Sequence, residues 1–144
     1  MTDKQITIVV AVIRNDRGDV LLGKRNSPDL PTVNGNWELI GGGIELGETP
    51  EAAIIREVKE EAGVDVEIVR LLPKIFSDSS ILEGGLSTQV LIISYECKIT
   101  GGELAPGQDQ EIEELKFVPL DEVKNYKAFN NIYQTVELLK NSLI

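Results

Sequence analysis

The sequence predicts an α/β domain in which a mixed β-sheet lies between helices. Three observations support this fold class. Apolar, β-branched runs of strand length recur along the chain, turn residues separate them, and two segments have helical periodicity. The 144 residues suffice for one hydrophobic core, so we expect residues 1–144 to form a single domain.

The first segment predicts a central strand that continues into a hairpin. Residues 6–13 form a nearly continuous apolar run, which is too short for a typical helix and favours a strand buried on both faces. Residues 15–18 have the composition of a turn, and residues 19–25 form a second strand-like run. We therefore expect these two strands to pair with each other.

The next segment predicts a loop, a short strand and a glycine-rich loop. Residues 26–36 contain two prolines and a glycine, which favours a mobile loop. Trp37 begins a short strand at residues 37–40, and we expect its ring in the core or in a pocket wall rather than as a stacking platform. The glycines at residues 41–43 would let other groups approach the backbone closely.

A short helix follows, and the sequence marks both of its ends. Thr49 is a good N-cap and Pro50 suits the first helical position. Gly63 is a natural terminator, because glycine adopts the left-handed conformation that commonly ends a helix.

The two faces of this helix differ in character. At about 100° per residue, Glu57, Glu60 and Glu61 fall on one face. The opposite face is apolar and is predicted to be core; its members are Ala52, Ile55, Val58 and Ala62.

The acidic face is unfavourable for an isolated helix, because like charges repel and the C-terminal turn disfavours anions. Lys59 lies on the apolar side and Arg56 only flanks the carboxylates. A hard divalent cation such as Mg²⁺ or Mn²⁺ would balance their charge. The alternative is an ordinary solvated acidic face.

The remainder of the chain predicts further strands and a last helix. Asp121 is expected to cap a short helix that follows an edge strand ending at Pro119. The other predicted elements are a strand at 66–76, a polar connection at 77–85, a long strand at 86–97, a loop at 99–109, and a helix at 129–139.

Composition excludes several kinds of site. The chain has no histidine, which rules out Ser-His-Asp and Cys-His catalysis and His-containing zinc sites. The single cysteine, Cys97, can form no internal disulfide and is expected to be a small buried hydrophobe. Neither a dinucleotide-binding glycine motif nor a P-loop is present.

The charge and the N-terminal sequence limit partners and location. A net charge of -10 argues against nonspecific binding to nucleic acid polymers and to anionic membranes. Residues 1–5 lack the pattern of a signal peptide, and no apolar run approaches the ~18 residues of a membrane helix. We expect a cytoplasmic protein.

The region around the helix resembles the Nudix box at every defined position. The matching pattern is Gly42-x5-Glu48-x7-Arg56-Glu57-Val58-x-Glu60-Glu61-x-Gly63-Val64. Ile40 departs from the family, in which a proline is common at that place. The resemblance implies an α/β/α sandwich that cleaves nucleoside diphosphates linked to another moiety, using Mg²⁺ or Mn²⁺ and a metal-activated water.

The resemblance also implies roles in the box. Glu57 and Glu61 would be metal ligands, and Glu60 would be a third ligand or the base that orients water. Arg56 would hold a neighbouring carboxylate in a bidentate pair, with Glu48 and Glu57 as the candidates. The resemblance implies two further roles. The backbone carbonyl of Gly42 would be another metal ligand, and Glu48 would support the ligands or be an alternate ligand.

Outside the box, a later carboxylate is expected to assist catalysis. Glu111 is preferred to Glu113, because it precedes the strand before Pro119 at the usual interval; the alternative is an exposed loop acid. Arg25 is either an exposed charge or a contact to phosphate or base. The substrate-binding set that we predict is Arg25, Trp37, Glu38 and Gly43. Asn130 and Asn131 are candidates for contact with a purine edge, although exposed helix positions are the ordinary alternative.

The predicted function is hydrolysis of a nucleoside triphosphate, so the expected partner is a small molecule. A homodimer is one possible assembly. Within the same class, ADP-ribose, nucleotide sugars and dinucleoside polyphosphates are the alternative substrates. From other classes, a nucleotide-binding module without catalysis and a metal-buffering protein compete. The intact set of carboxylates argues against the former, and the lack of a calcium-binding loop argues against the latter.

Overall fold

The structure is a computed structural model that describes residues 4–79 and 88–141. Most of the predicted connection at 77–85, and the start of the strand predicted at 86–97, lie outside the described residues. The strands are β1 (Lys4–Ile13), β2 (Val20–Arg25), β3 (Trp37–Glu38), β4 (Ile40–Gly43), β5 (Val64–Leu71), β6 (Phe76–Asp78), β7 (Thr88–Gly102) and β8 (Ile112–Val118). The helices are α1 (Pro50–Ala62), α2 (Asn130–Lys140) and a 3₁₀-helix (Leu120–Asn125).

The described strands form two sheets. The larger has the order β4-β1-β7-β5, with β6 also paired to β7. Strand β1 runs parallel to β7 and antiparallel to β4, so the sheet is mixed and the prediction that the first strand is central is confirmed. The smaller sheet is antiparallel, with the order β3-β2-β8, and its edge strand β8 was expected as an edge.

The predicted hairpin between the first two strands is wrong. The turn exists, with the Gly18 N–H donating to the Asn15 carbonyl at 2.9 Å. Beyond it, a single bridge between Arg14 and Val20 joins the two segments, after which β1 and β2 enter different sheets. The reason is non-local, because β7 and β8 supply long partner strands that the sequence around the turn does not reveal.

The strand predicted at 37–40 and the glycine loop predicted at 41–43 also differ from the structure. The chain divides at Leu39, since β3 joins the smaller sheet and β4 the larger. The glycines belong to strand β4, in which Gly41 pairs with Val10 and Gly42 with Val9. A Cβ atom at Gly41 would lie 2.0 Å from the Val9 carbonyl oxygen, so glycine is required for this pairing.

Helices cover both faces of the larger sheet, which confirms the α/β/α sandwich. Alternate residues of β1 point to opposite faces, as strand geometry requires. Val9 and Ala11 pack in the core beneath α1, with Ile54 and Val58. The side chains on the opposite face of β1, Val10 and Val12, pack in the core beneath α2, with Ile132 and Val136.

Both predicted ends of α1 are confirmed, but its predicted core face is wrong in part. The Thr49 hydroxyl accepts the Ala52 N–H at 3.1 Å, and Gly63 has a φ of 76°. Ala52 and Ile55 are exposed, the latter by 45%. The residues that α1 buries are Ala53, Ile54, Val58, Glu61 and Ala62. The buried stripe is therefore rotated toward the carboxylates, because α1 packs beside β4, whose glycines offer no side chains there.

Several other predictions need smaller corrections. Strand β5 ends at Leu71, and β7 continues to Gly102, so the loop predicted to start at residue 99 begins later. Asp121 does not cap the 3₁₀-helix, since Pro119 precedes it and Asp121 pairs with Lys140 at 2.8 Å. Cys97 is buried as expected, and burial raises the pKa of its thiol to about 12. Among the described residues, no helix has the length and apolarity needed to cross a bilayer.

Candidate active site

A pocket of about 420 Å³ lies where the edge strand β4 meets α1 and α2. The predicted site residues that line it are Arg25, Glu38, Gly42, Gly43, Glu57, Glu61 and Glu111. Its other walls are mostly apolar, and they include Ile6, Ile8, Val10, Val33, Leu39, Ile92, Phe129 and Ile132. The pocket therefore has an acidic end and an apolar end.

Glu57 reaches the acidic end across the backbone of Gly42. A Cβ atom at Gly42 would lie 2.6 Å from Glu57 Oε1, so the carboxylate occupies space that a side chain would otherwise fill. The Glu57 side chain is 13% exposed. Burial is the largest cause of its raised pKa, and the neighbouring Arg56 guanidinium opposes this shift.

Glu61 lies one helical turn further along α1 and is 8% exposed. The nearby Gly41 N–H favours the ionised form of its carboxylate and so lowers its pKa. Burial, followed by the charges of Glu57 and Glu38, raises the pKa of Glu61 to about 8. A strongly raised carboxyl pKa in a pocket is a common property of metal-binding and catalytic positions.

Arg56 holds the acidic residues of the box together, and both predicted partners are found. Its guanidinium makes a bidentate pair with Glu48, at 2.8 Å from Nε and 3.0 Å from Nη2. It also donates to Glu57 at 3.0 Å and to the Gly43 carbonyl at 3.1 Å. These hydrogen bonds lower the pKa of Glu48 to about 2.

Besides Arg56 and Glu48, two further predicted site residues, Glu60 and Trp37, do not line the pocket. The Glu60 side chain is 56% exposed and contacts Arg56 at 3.3 Å, so the three carboxylates of the helix do not converge as expected. Trp37 packs edge-on against Tyr126 in the core beneath α2, with 5.2 Å between the two ring centroids. The structure therefore places Trp37 in the core rather than in the pocket wall.

Arg25 and Glu38 form an ion pair in the pocket. Arg25 donates from Nη1 to Glu38 Oε1 at 3.0 Å and from Nε to Ser27 Oγ at 2.8 Å. Burial raises the pKa of Glu38, although Arg25 opposes this shift. Among the described lining residues, Arg25 is the one cation beside four carboxylates. The acidic end thus has an excess of negative charge.

The structure distinguishes the two late carboxylates. Glu111 lines the pocket, whereas Glu113 pairs with Lys24 at 3.5 Å outside it. The two asparagines also separate, because Asn131 lines the pocket while Asn130 lies on a different groove of α2.

Sequence reasoning missed much of the apolar end. Phe129 precedes α2, and Thr135 faces the pocket one turn after Asn131, whose carbonyl accepts the Thr135 hydroxyl at 2.7 Å. Ile6 and Ile8 were assigned to the core in general. Their pocket position follows from the packing of α2 against β1, which no local pattern in the sequence reports.

The residues of the acidic end fit a divalent cation that is shared with a substrate. Within residues 4–79 and 88–141, no group of three or more acidic, Cys or His side chains is arranged to hold a metal alone. However, Mg²⁺ in nucleotide enzymes commonly takes one or two carboxylates, with waters and phosphate oxygens as the other ligands. Glu57 and Glu61 are such a pair. Arg56 already offsets part of the charge of Glu57, whereas burial and the neighbouring carboxylates disfavour the ionised form of Glu61, which a bound cation would stabilise.

Comparisons with known proteins identify the family. The NUDIX domain model matches residues 4–139. A nucleoside triphosphatase NudI of Escherichia coli is 30% identical over 128 residues, which cover 85% of this chain and 88% of that protein. An 8-oxo-dGTP diphosphatase of Escherichia coli is 38% identical over 72 residues, which cover 50% of this chain and 54% of that protein.

The fold is shared with solved structures. A MutT protein from Methanosarcina mazei Go1 superposes with a TM-score of 0.77 at 21% identity, with 99% of each chain covered. The chain spans only 31% to 54% of the length of the first curated relatives that it matches. Because the family model matches nearly all of the described chain, this protein belongs to the Nudix hydrolase family.

Proposed function

We propose that this protein is a divalent-metal-dependent pyrophosphohydrolase that acts on a nucleoside triphosphate. The observation that carries the proposal is the pocket itself, in which the buried carboxylates Glu57 and Glu61 stand at one end and an apolar cleft at the other. Relatives named as a nucleoside triphosphatase and an 8-oxo-dGTP diphosphatase support a triphosphate substrate.

The acidic end would bind the phosphate chain. Glu57 and Glu61, with the Gly42 carbonyl, would hold Mg²⁺, or Mn²⁺ in its place, and Glu60 as a further ligand stays a prediction. When bound, the cation supplies charge screening of the phosphates and a lowered pKa for water. Arg25 adds the positive charge that can contact a phosphate oxygen directly.

The reaction requires a water oxygen to attack a phosphorus of the diphosphate bridge. The bond from that phosphorus to the bridging oxygen breaks, and a nucleoside monophosphate and pyrophosphate leave. Both Glu111 and Glu60 are exposed, but Glu111 lines the pocket and Glu60 does not, which makes Glu111 the better candidate for the base that accepts the proton from water. Arg56 acts indirectly, because it fixes Glu57 and Glu48 in place.

The apolar end would receive the base and sugar. Phe129, Ile132 and Ile8 offer apolar surface, and the Asn131 amide offers both a donor and an acceptor for a base edge. A small-molecule nucleotide is therefore the proposed partner. Four points stay predictions: the cytoplasmic location, the lack of a nucleic acid polymer as partner, the lack of a membrane partner, and the homodimer.

The proposal is tested with a panel of purified nucleotides. Canonical and 8-oxo nucleoside triphosphates, ADP-ribose, UDP-glucose and a diadenosine polyphosphate are incubated with the protein and Mg²⁺, and the products are separated by ion exchange. We expect a triphosphate to give monophosphate and pyrophosphate at the highest kcat/KM. Preferential cleavage of ADP-ribose or UDP-glucose would reassign the substrate, and nucleotide binding without cleavage would overturn the enzymatic proposal.

A further inference from the structure

The loop that carries Glu111 is attached to the helix that carries Glu57 and Glu61. In this β7–β8 loop (residues 103–111), the Ala105 N–H donates to the Ala62 carbonyl at 3.0 Å, and the Gly107 N–H donates to the Glu61 carbonyl at 3.1 Å. Carbonyls in the last turn of a helix have no partner within the helix. The loop therefore caps α1 and ties Glu111 to it through the backbone.

Gly107 lies in direct contact with the end of α1. A Cβ atom at Gly107 would be 2.2 Å from the Glu60 carbonyl oxygen, which is backbone and cannot rotate away. Gly107 is not among the described glycines with positive φ, so no left-handed conformation requires glycine at this position. An alanine here would act purely by pushing the loop and helix apart.

Asn26 holds the other end of the same loop. Its N–H donates to the Glu111 carbonyl at 2.7 Å, and its Nδ2 donates to the Gln110 carbonyl at 3.1 Å. Gln110 has a φ of 61° and is the one non-glycine residue in the described ranges with positive φ. A side chain in this conformation is disfavoured unless its surroundings hold it. Asn26 thus fixes the reversal of the chain immediately before Glu111.

We propose that Asn26 and Gly107 are positioning residues, which clamp the β7–β8 loop between the end of β2 and the last turn of α1. The clamp sets the Glu111 carboxylate relative to Glu57 and Glu61. Both residues are described and neither lines the pocket. Asn26 acts through Glu111, whereas Gly107 joins the Glu111 loop to the turn of α1 that carries Glu61. The proposal rests on the proposed function only for the role of Glu111 in the reaction.

The first experiment compares three variants. Asn26→Ala removes the hydrogen bond to Gln110, and Gly107→Ala separates the loop from α1. Gly101→Ala is the matched control, because its Cβ atom would meet only Asp65 Oδ2 at 3.4 Å. We expect kcat for triphosphate cleavage to fall about tenfold in the first two variants, with KM changed less than about twofold. The control should keep wild-type kcat.

A double-mutant cycle separates positioning from general damage. Glu111→Gln alone should lower kcat by about 10²-fold or more. If Asn26 acts through Glu111, adding Asn26→Ala to that variant should cause no further loss. Independent, multiplicative effects would overturn the proposal, and so would wild-type kcat in Asn26→Ala. Wild-type kcat in Glu111→Gln would also overturn the proposal, because the reaction would then not need the carboxylate that the clamp positions.

Amide hydrogen exchange gives a readout that does not depend on activity. The clamp predicts faster exchange across residues 103–111 in Asn26→Ala and Gly107→Ala, and unchanged exchange in Gly101→Ala. Wild-type exchange in both variants would overturn the clamp even in an active enzyme. Faster exchange in a protein that cleaves no nucleotide would support the clamp while the proposed function fails.

Discussion

The Glu57 carboxylate occupies the place where a side chain at Gly42 would project. Oε1 of Glu57 would lie 2.6 Å, and Cδ 2.7 Å, from a Cβ atom at position 42. Two positions fifteen residues apart in the sequence therefore depend on each other. The inward direction of Glu57, which brings it into the pocket, is possible because residue 42 has no side chain.

Replacing Gly42 with alanine should lower activity strongly without unfolding the protein. The displaced atoms belong to the end of a flexible side chain, so Glu57 can move away at little cost in stability. We expect kcat to fall about 10²-fold, as for other misplaced catalytic groups, while Tm changes by only a few degrees.

Gly41→Ala should behave in the opposite way. Its Cβ atom would meet the Val9 carbonyl and disrupt β4, which would lower Tm strongly. Wild-type turnover in Gly42→Ala would contradict this account.

Arg56 should not tolerate even a conservative change. Lysine keeps the charge but cannot reproduce the bidentate pair with Glu48 together with the bond to Glu57. We expect Arg56→Lys to lower kcat about 10-fold to 100-fold, measured at saturating nucleotide. Arg17→Lys, in the exposed turn before β2, is the matched control and should have no effect. Equal activity in both variants would show that Arg56 does not organise the site.

The stability of the metal-free protein should depend on pH through Glu61. The folded-state pKa of Glu61 is about 8, above its ordinary value of 4.5, so the folded state holds a proton that the unfolded state has released. The contribution of Glu61 is fully favourable below pH 4.5 and is lost as the pH rises to about 8. We expect Tm to fall over this range, and Glu61→Gln to reduce the fall. Mg²⁺ should raise Tm more at pH 8 than at pH 6, because it needs the ionised carboxylate. The same slope in both proteins would contradict the assigned pKa.

Local signals in the sequence were sufficient for α1 and its ends. Thr49 and Gly63 act through hydrogen bonds within a few residues, so their roles can be predicted without the fold. The resemblance to the Nudix box likewise implied a bidentate pair of Arg56 with Glu48 or Glu57, and the structure has that pair with Glu48. By contrast, the strand character of Gly42 depends on its pairing with Val9 of β1, which lies more than thirty residues earlier in the chain.

The orientation of elements could not be predicted in the same way. The helical wheel placed Ile55 in the core, but α1 turns its Glu61 edge inward, because the neighbouring strand β4 is mostly glycine. Similarly, Asn131 and Phe129 reach the pocket only because α2 packs on β1 from the far end of the chain. Such packing is a property of the whole fold, and single-sequence patterns report it poorly.

The dependence of triphosphate cleavage on Mg²⁺ in Glu57→Gln and Glu61→Gln tests the central claim most directly. Glu67→Gln is the control, because Glu67, which lies on β5 away from the pocket, pairs with Lys98. The account predicts that both test variants fold normally, lose about 10²-fold or more in kcat, and need about tenfold more Mg²⁺ for half-maximal rate, while the control is unchanged. Near-normal turnover by Glu57→Gln at the Mg²⁺ concentration that suffices for the wild type would contradict it.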